Sequence, residues 1–295
     1  MMTMVRSPHL FCAGAWLSLI SLFLGAAAAG EADRLASASR IVAIGGSITE
    51  IIYALGEEGR LAARDSTSSF PPEAEKLPDI GYMRALSPEG VLSVDPDAII
   101  AIEGSGPAEA IDVLKNTGLP FEEVADRYTR EGIAEKIKEV GALLGVEAKA
   151  RLLAERVEME LAAAERDAAQ VSRKKRVLFI LSMADGRILA AGKSTSAQAI
   201  IEMAGAVNAL DAFDGFKPVN DEAVIDAHPD VILMMDRGGD HGSTDDIVFG
   251  HPAIAATPAG AGRLLVRMNG LYLLGFGPRT AEAVRDLSAR LAKLP

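Results

Sequence analysis

Residues 147–170 contain no Gly or Pro and are rich in Ala, Leu, Glu and Arg, all strong helix formers. As one α-helix this stretch is about 36 Å long at 1.5 Å per residue. Leu152, Leu153, Val157 and Leu161 recur at helical spacing, so one face is apolar. Segments of similar size lie on either side, and each carries the same pattern. Glu89-Gly90-Val91-Leu92-Ser93-Val94-Asp95-Pro96-Asp97-Ala98-Ile99-Ile100 reads as a short helix, a Pro-Asp turn and a buried strand. Glu222-Ala223-Val224-Ile225-Asp226-Ala227-His228-Pro229-Asp230-Val231-Ile232-Leu233 keeps that spacing without a gap. A long helix between two copies of one unit constrains the chain to two lobes on a rigid bridge.

Strands and helices alternate within each segment. In the first, Arg40–Ile44 and Phe121–Val124 read as strands and residues 130–144 as a helix. Ser47 and Glu50 form a capping box for a helix over Ile48–Leu55. In the second, Arg176–Leu181 and Leu264–Val266 read as strands. Ser196–Ala204 reads as a helix, and Pro278–Leu294 as a closing helix with Pro at its start. Alternation of this kind predicts an α/β fold: two similar lobes with central parallel-type sheets flanked by helices, joined by the long helix. A ligand cleft between the lobes follows, lined by loops at the C-terminal ends of strands.

Residues 1–29 read as a cleaved secretory signal peptide. Arg6 is the only charge before Glu31, Leu10 to Gly25 is apolar, and Ala26 to Ala29 suit a peptidase. Cys12 sits inside the apolar run rather than at a lipid-attachment site. The expected division is therefore a signal peptide over 1–29, an N-terminal lobe over 30–146, a linking helix over 147–173 and a C-terminal lobe over 174–295. An exported, periplasmic monomer is expected.

Lys and Arg total 30 against 41 Asp and Glu, a formal charge of −11. That disfavours nucleic acid, which needs a basic face. One Cys excludes a disulfide scaffold. No Gly-x-Gly-x-x-Gly follows the first strand, and Gly192-Lys193-Ser194-Thr195 carries only the tail of a phosphate loop. No Gly-x-Ser-x-Gly elbow is present. His228 falls in the repeat turn, and His251 precedes Pro252 at a helix start. His241, in the polar loop Asp236–His241, is the candidate metal ligand of a secreted metal-dependent enzyme, the weakest of the functional readings.

Tyr82 stands apart. It follows Gly81 in a loop before the first repeat helix, where the cleft rim should lie, with Arg84 two residues on. One reading is a packed or hydrogen-bonding side chain. The other is iron ligation: a phenol with a pKa near 10 binds poorly until deprotonated, ferric iron favours the phenolate, a nearby Arg stabilises that anion, and Tyr is an attested haem ligand.

The stretch Gly81-Tyr82-Met83-Arg84-x-Leu86-Ser87-x-Glu89-Gly90-x-Leu92-Ser93 resembles the ligand loop of periplasmic haem-binding proteins of bacterial haem ABC importers, helical-backbone (class III) substrate-binding proteins. Arg40-Ile41-Val42-x-Ile44-Gly45-Gly46-Ser47-x-Thr49-Glu50 and Leu274-Gly275-Phe276-Gly277-Pro278-Arg279 extend the likeness. The resemblance implies a non-enzymatic protein that captures haem b (hemin) and delivers it to an ABC permease and its ATPase. It implies Tyr82 on the haem iron, Arg84 hydrogen-bonding that Tyr, and Glu89 and Glu222 docking onto permease Arg residues. The bland reading of both Glu residues is a solvated helix position or a cap near Ser87. Members that hold two haems add a second-lobe His. The comparable stretch here, Leu181 to Gly186, has none, so one haem is expected, with Met183 a candidate contact. Haem propionates need local cations or helix N-termini; Lys193 and Arg237 are candidates, or else solvated loop charges. A ferric siderophore or cobalamin is the alternative ligand on the same architecture.

Overall fold

The computed structural model describes residues 34–171, 173–236 and 243–295. The expected signal peptide, Cys12, Arg237 and His241 lie outside them. The first lobe comprises β1 (Ile41–Ile44), α1 (Gly46–Ala54), β2 (Leu61–Arg64), α2 (Pro88–Leu92), β3 (Ala98–Ile102), α3 (Ala108–Lys115), β4 (Phe121–Val124) and α4 (Arg130–Leu143). Its strands run parallel in the order β2-β1-β3-β4. β1 and β3 are buried at every position, as aliphatic runs covered on both faces must be.

Helix α5 (Glu147–Ala168) bridges to the second lobe. There follow β5 (Arg176–Ala184), β6 (Arg187–Ala191), α6 (Ser196–Met203), β7 (Val207–Asn208), β8 (Phe216–Val219), α7 (Asp221–Asp226), β9 (Val231–Asp236), α8 (Asp245–Gly250), α9 (Pro252–Ala255), α10 (Pro258–Ala261), β10 (Leu265–Asn269), α11 (Gly270–Leu274) and α12 (Thr280–Ala292). The second sheet is ordered β10-β9-β5-β6-β8. β10, β9 and β5 are parallel, but β6 and β8 pair antiparallel. The sheet is therefore mixed rather than purely parallel. β5 runs past Leu181 into a hairpin at Asp185-Gly186, where both residues have positive φ.

The repeat is physical. Asp95 and His228, the residues before Pro96 and Pro229, both have positive φ, at 51° and 44°. The carboxylate of Asp97 accepts from the backbone N–H groups of Ser39 and Arg40, and that of Asp230 accepts from Arg176. Each lobe thus clamps the entry of its first strand with the Asp of its own Pro-Asp turn.

Three local expectations change. Leu152 is 65% exposed; the buried face of α5 is Ala150, Leu153, Ala154, Val157, Leu161, Ala164 and Ala168. Alanine wins there because α4 comes so close: a Cβ on Gly141 would lie 2.0 Å from the Ala150 Cβ. The closing helix starts at Thr280 with Arg279 as its N-cap, so Pro278 lies outside it. One apolar core runs from Leu35 through α5 to Leu291 and joins the lobes, with a separate cluster on the far face of each sheet.

Ser47 and Glu50 do not form a capping box; α1 has Gly45 as N-cap and no side-chain cap. Glu50 reaches the other lobe instead. Its carboxylate, 5% exposed, accepts from Arg279 Nη2 at 2.9 Å and from the Arg279 backbone N–H at 3.1 Å. The Arg279 guanidinium lies 3.4 Å from the Phe70 ring centroid and 5.2 Å from that of Tyr272, adding cation–π attraction. Beside it, buried Lys136 pairs with Asp126 and donates to the Phe276 carbonyl at 3.2 Å. Burial pushes the Lys136 ammonium below its ordinary pKa, against the pull of Asp126.

Removing one partner of a buried pair leaves an uncompensated charge. Glu50→Ala should lower the unfolding free energy by about 3 kcal/mol. The paired replacement Glu50→Met with Arg279→Met should cost less, as read by urea denaturation.

Candidate functional site

A cleft of about 770 Å³ opens between the lobes, within the ordinary range of roughly 300–1,000 Å³ for small-molecule sites. Its walls come from the C-terminal ends of the parallel strands, where ligands of open α/β sheets bind. From the first lobe come Gly45 to Ser47 after β1, Ser66, Thr67 and Ser69 after β2, Tyr82 to Arg84, Ile102, Asp126 and Tyr128. From the second come Leu181, Ser196, Phe216, Met235 and Asp236, and the Asn269–Gly275 stretch around α11. The lobes touch at the cleft floor: a Cβ on Gly46 would meet Leu271 Cδ1 at 2.5 Å and the Thr67 carbonyl oxygen at 2.8 Å, so a side chain there would force the Thr67 backbone to move.

Asp65 shapes the first-lobe wall. Fully buried, it accepts from the Gly45 N–H and Ser68 hydroxyl on Oδ1, at 2.9 and 2.8 Å, and from the Thr67 N–H and hydroxyl on Oδ2, at 2.9 and 2.7 Å. Four donors saturate the carboxylate and hold the hydroxyl-rich loop against α1. Gly45, with φ at 106° and Ile102 Cγ2 only 2.5 Å from a would-be Cβ, permits the approach.

Tyr82 is 48% exposed in the cleft, and its phenol has no hydrogen-bond partner among the described residues. Its loop is anchored at several points. The Ser66 N–H donates to the Gly81 carbonyl, Ala85 to Tyr82, and Gly106 to Met83, at 2.8–2.9 Å. A fixed backbone thus carries a free phenol. Arg84 also lines the cleft; no hydrogen bond links it to Tyr82 among the described residues, and its charge bears on Tyr128 instead.

Tyr128, which no motif in the sequence marks, lines the cleft and packs at a tilt against Phe276 with centroids 5.1 Å apart. Burial first, then the Asp126 charge, raises its pKa above the ordinary phenol value, and Arg84 partly opposes the shift. Its place just past β4 was the available signal, since strand C-terminal ends build such sites. Ser66, Thr67, Ser196 and Asn269 were also unmarked; isolated hydroxyl and amide residues carry no pattern in a sequence.

Met183 does not reach the cleft. It lies on β5 and lines a separate depression with Asp185, Gly186 and His251, while Met235 supplies the second-lobe thioether. Lys193 is exposed beside the Phe213–Gly215 turn, which its backbone pairs with, and is not a wall residue. His251 is the N-cap residue of α9, as its place before Pro252 implies, and its ring bonds the Gly186 carbonyl at 3.0 Å instead of capping with its side chain. Glu89 and Glu222 occupy matching exposed positions in the first turns of α2 and α7. The Ser87 hydroxyl donates to Glu89 at 2.8 Å and holds its carboxyl below the usual range.

Two lobes on a rigid helix, with a cleft of strand-end loops and no membrane-crossing helix among the described residues, define a ligand-capturing protein of the bilobal binding class. The match to the periplasmic binding protein family spans residues 41–269, and the chain belongs to that family. Two solved structures share the fold over 86% of this chain and 98% of theirs. They are the periplasmic haem-binding protein BhuT with two haems, at 37% identity and a TM-score of 0.81, and RhuT of Roseiflexus sp. RS-1 in apo form, at 38% and 0.82. An uncharacterised ABC transporter substrate-binding lipoprotein of Bacillus subtilis, YvrC, is 30% identical over 200 residues, 67% of this chain and 63% of its own length. This chain therefore matches less than two thirds of that relative. The vitamin B12-binding protein of Salmonella typhimurium is 25% identical over 207 residues, 70% of this chain and 76% of that protein.

The raised Tyr128 pKa has a sign. The folded phenol keeps its proton above pH ~10, where an unfolded one loses it. The stability it contributes is complete below that pH and lost as pH rises through the folded value. Tyr128→Phe should flatten the alkaline fall in unfolding free energy above about pH 10, measured by urea titration across that range.

Proposed function

We propose that this protein captures haem in the cleft and hands it to an ABC-type import permease and its ATPase, catalysing no reaction. The observation that carries the reading is Tyr82: a partner-free phenol, half exposed to the cleft on an anchored loop, in a fold shared at 37–38% identity with haem-binding proteins. Tyr82 ligates the iron as phenolate. Arg84, also on the cleft wall, supplies the positive charge that steadies that anion. Leu181, Phe216, Met235 and Leu271 offer the apolar and thioether surface on which a porphyrin face is buried, and the described wall holds no His opposite Tyr82. One haem is the stoichiometry of this reading, because residues 181–186 carry no His. Export to the periplasm through a cleaved signal peptide fits the family.

Hemin titration of the purified mature protein, followed by absorption, tests the ligand and its stoichiometry together. Tyr82→Ala should weaken hemin binding by at least about tenfold, the scale of 1.4 kcal/mol, and change the spectrum of the bound haem. An unchanged spectrum and affinity rejects the ligand assignment. The likeness to vitamin B12-binding proteins makes cobalamin the second reading; binding of cobalamin and not hemin would select it.

Glu89 and Glu222 are the docking residues of this reading, because they lie at equivalent exposed places of a pseudo-twofold repeat, one on each lobe. Reversing both, Glu89→Lys with Glu222→Lys, should reduce permease-dependent haem uptake and leave hemin affinity as it was. Uptake at the wild-type rate rejects the docking role.

A further inference from the structure

Ser47 and Ser196 occupy matching places in the two lobes. Each stands in the first turn of a helix that opens onto the cleft: Ser47 in α1, followed by Ile51 and Ile52, and Ser196 in α6, followed at the same spacing by Ile200 and Ile201. Those four isoleucines are fully buried, so both helices set the same face on their sheets and the serines fall in register. Ser47 is 5% exposed and Ser196 9%, and both line the cleft. Among the described residues, neither hydroxyl has a hydrogen-bond partner, and neither backbone N–H has one.

Neither hydroxyl oxygen is among the fully enclosed polar atoms that lack a partner, so both are open to the cleft and available as donors there. Two such donors, at equivalent positions facing one cavity, point to acceptors that arrive with a ligand. The N–H groups of the two serines add free donors at the positive end of each helix dipole, whereas the Gly46 N–H donates to Thr67 Oγ1, those of Ile48 and Thr49 to the Gly45 carbonyl, and that of Gln198 to Thr195 Oγ1. The wall needs such neutral donors. Arg84 is the cation among its described residues, against Glu75, Asp126 and Asp236, and Asp126 is already paired with Lys136.

We propose that Ser47 and Ser196, each through its hydroxyl and its own backbone N–H, hold the two carboxylate arms of the ligand, one arm on each lobe. The assignment rests on the haem reading above, in which the arms are the two propionates. Hydroxyl and amide donors bind them without bringing in buried cations, and an arm on each lobe links ligand capture to the relation between the lobes.

The test is a comparison of hemin with hemin dimethyl ester, whose arms carry no charge, on wild-type protein, Ser47→Ala, Ser196→Ala and the double variant. Each single substitution should weaken hemin by about tenfold, equivalent to about 1.4 kcal/mol, and the double by about 100-fold. Ester affinity should stay within about twofold across all four proteins. Ser47→Thr and Ser196→Thr, which keep the hydroxyl, should retain hemin affinity. Unchanged hemin affinity in the double variant, or equal losses for hemin and ester, overturns the serine assignment and leaves the haem reading standing. Wild-type protein that binds neither compound overturns the haem reading and this inference with it.

Discussion

The contact on which the structure depends is the buried pairing of Glu50 with Arg279. It joins the first helix of one lobe to the entry of the last helix of the other, 229 residues away in sequence. A carboxylate at 5% exposure is tolerable only because the Arg279 side chain and backbone N–H both bond it, and because Phe70 and Tyr272 cover the guanidinium. Lys136, Asp126 and the Phe276 carbonyl repeat the arrangement one layer further in. Together with the shared apolar core along α5, these contacts make the cleft floor stiff. The walls above it are loops at strand ends, and a loop placed by a stiff floor can present a side chain with no structural task of its own. Tyr82 is such a side chain.

Charge and burial divide the site's work. The overall acidity of the chain, −11, continues into the cleft, where Glu75, Asp126 and Asp236 outnumber Arg84 among the described wall residues. The wall is instead rich in hydroxyl and backbone donors: Ser66, Thr67 and Ser69 beside the saturated Asp65, and the two serines at helix starts. Neutral donors can hold an anion in a buried place where a lysine would first have to be desolvated. The burial-depressed Lys136 shows what that desolvation does to an ammonium here.

The sequence was most legible where periodicity or repetition carried the signal. The bridging helix, the strand at Phe121–Val124 and the paired Pro-Asp turns follow from helix propensity, aliphatic runs and matched spacing. It was misleading where a local rule competed with a distant partner. Ser47 and Glu50 have capping-box spacing, but Arg279 offers Glu50 a full opposite charge. Leu152 keeps helical spacing with Leu153 and Val157, but α4 packs so tightly that small Ala150 and Ala154 take the inner face. Met183 is two residues from Leu181, a spacing that shares one face in a regular strand, but the irregularity of β5 between Ile180 and Ser182 breaks that phase, so Leu181 meets the cleft and Met183 another hollow. Tyr128 goes unmarked because nothing beside it in the chain singles it out.

By itself the sequence determined two α/β units on a rigid helix, a cleft at their strand ends, and a loop tyrosine set beside an arginine, because each of these depends on residues close together in the chain. Only the tertiary structure decided which side chains share the cleft. It put Tyr128, Met235 and Ser196 there and left Met183 and Lys193 out, and it turned Glu50 from a cap into a bridge between lobes. The physical reason is that a buried charge takes the partner that compensates its desolvation best, and for Glu50 that partner lies in the other lobe.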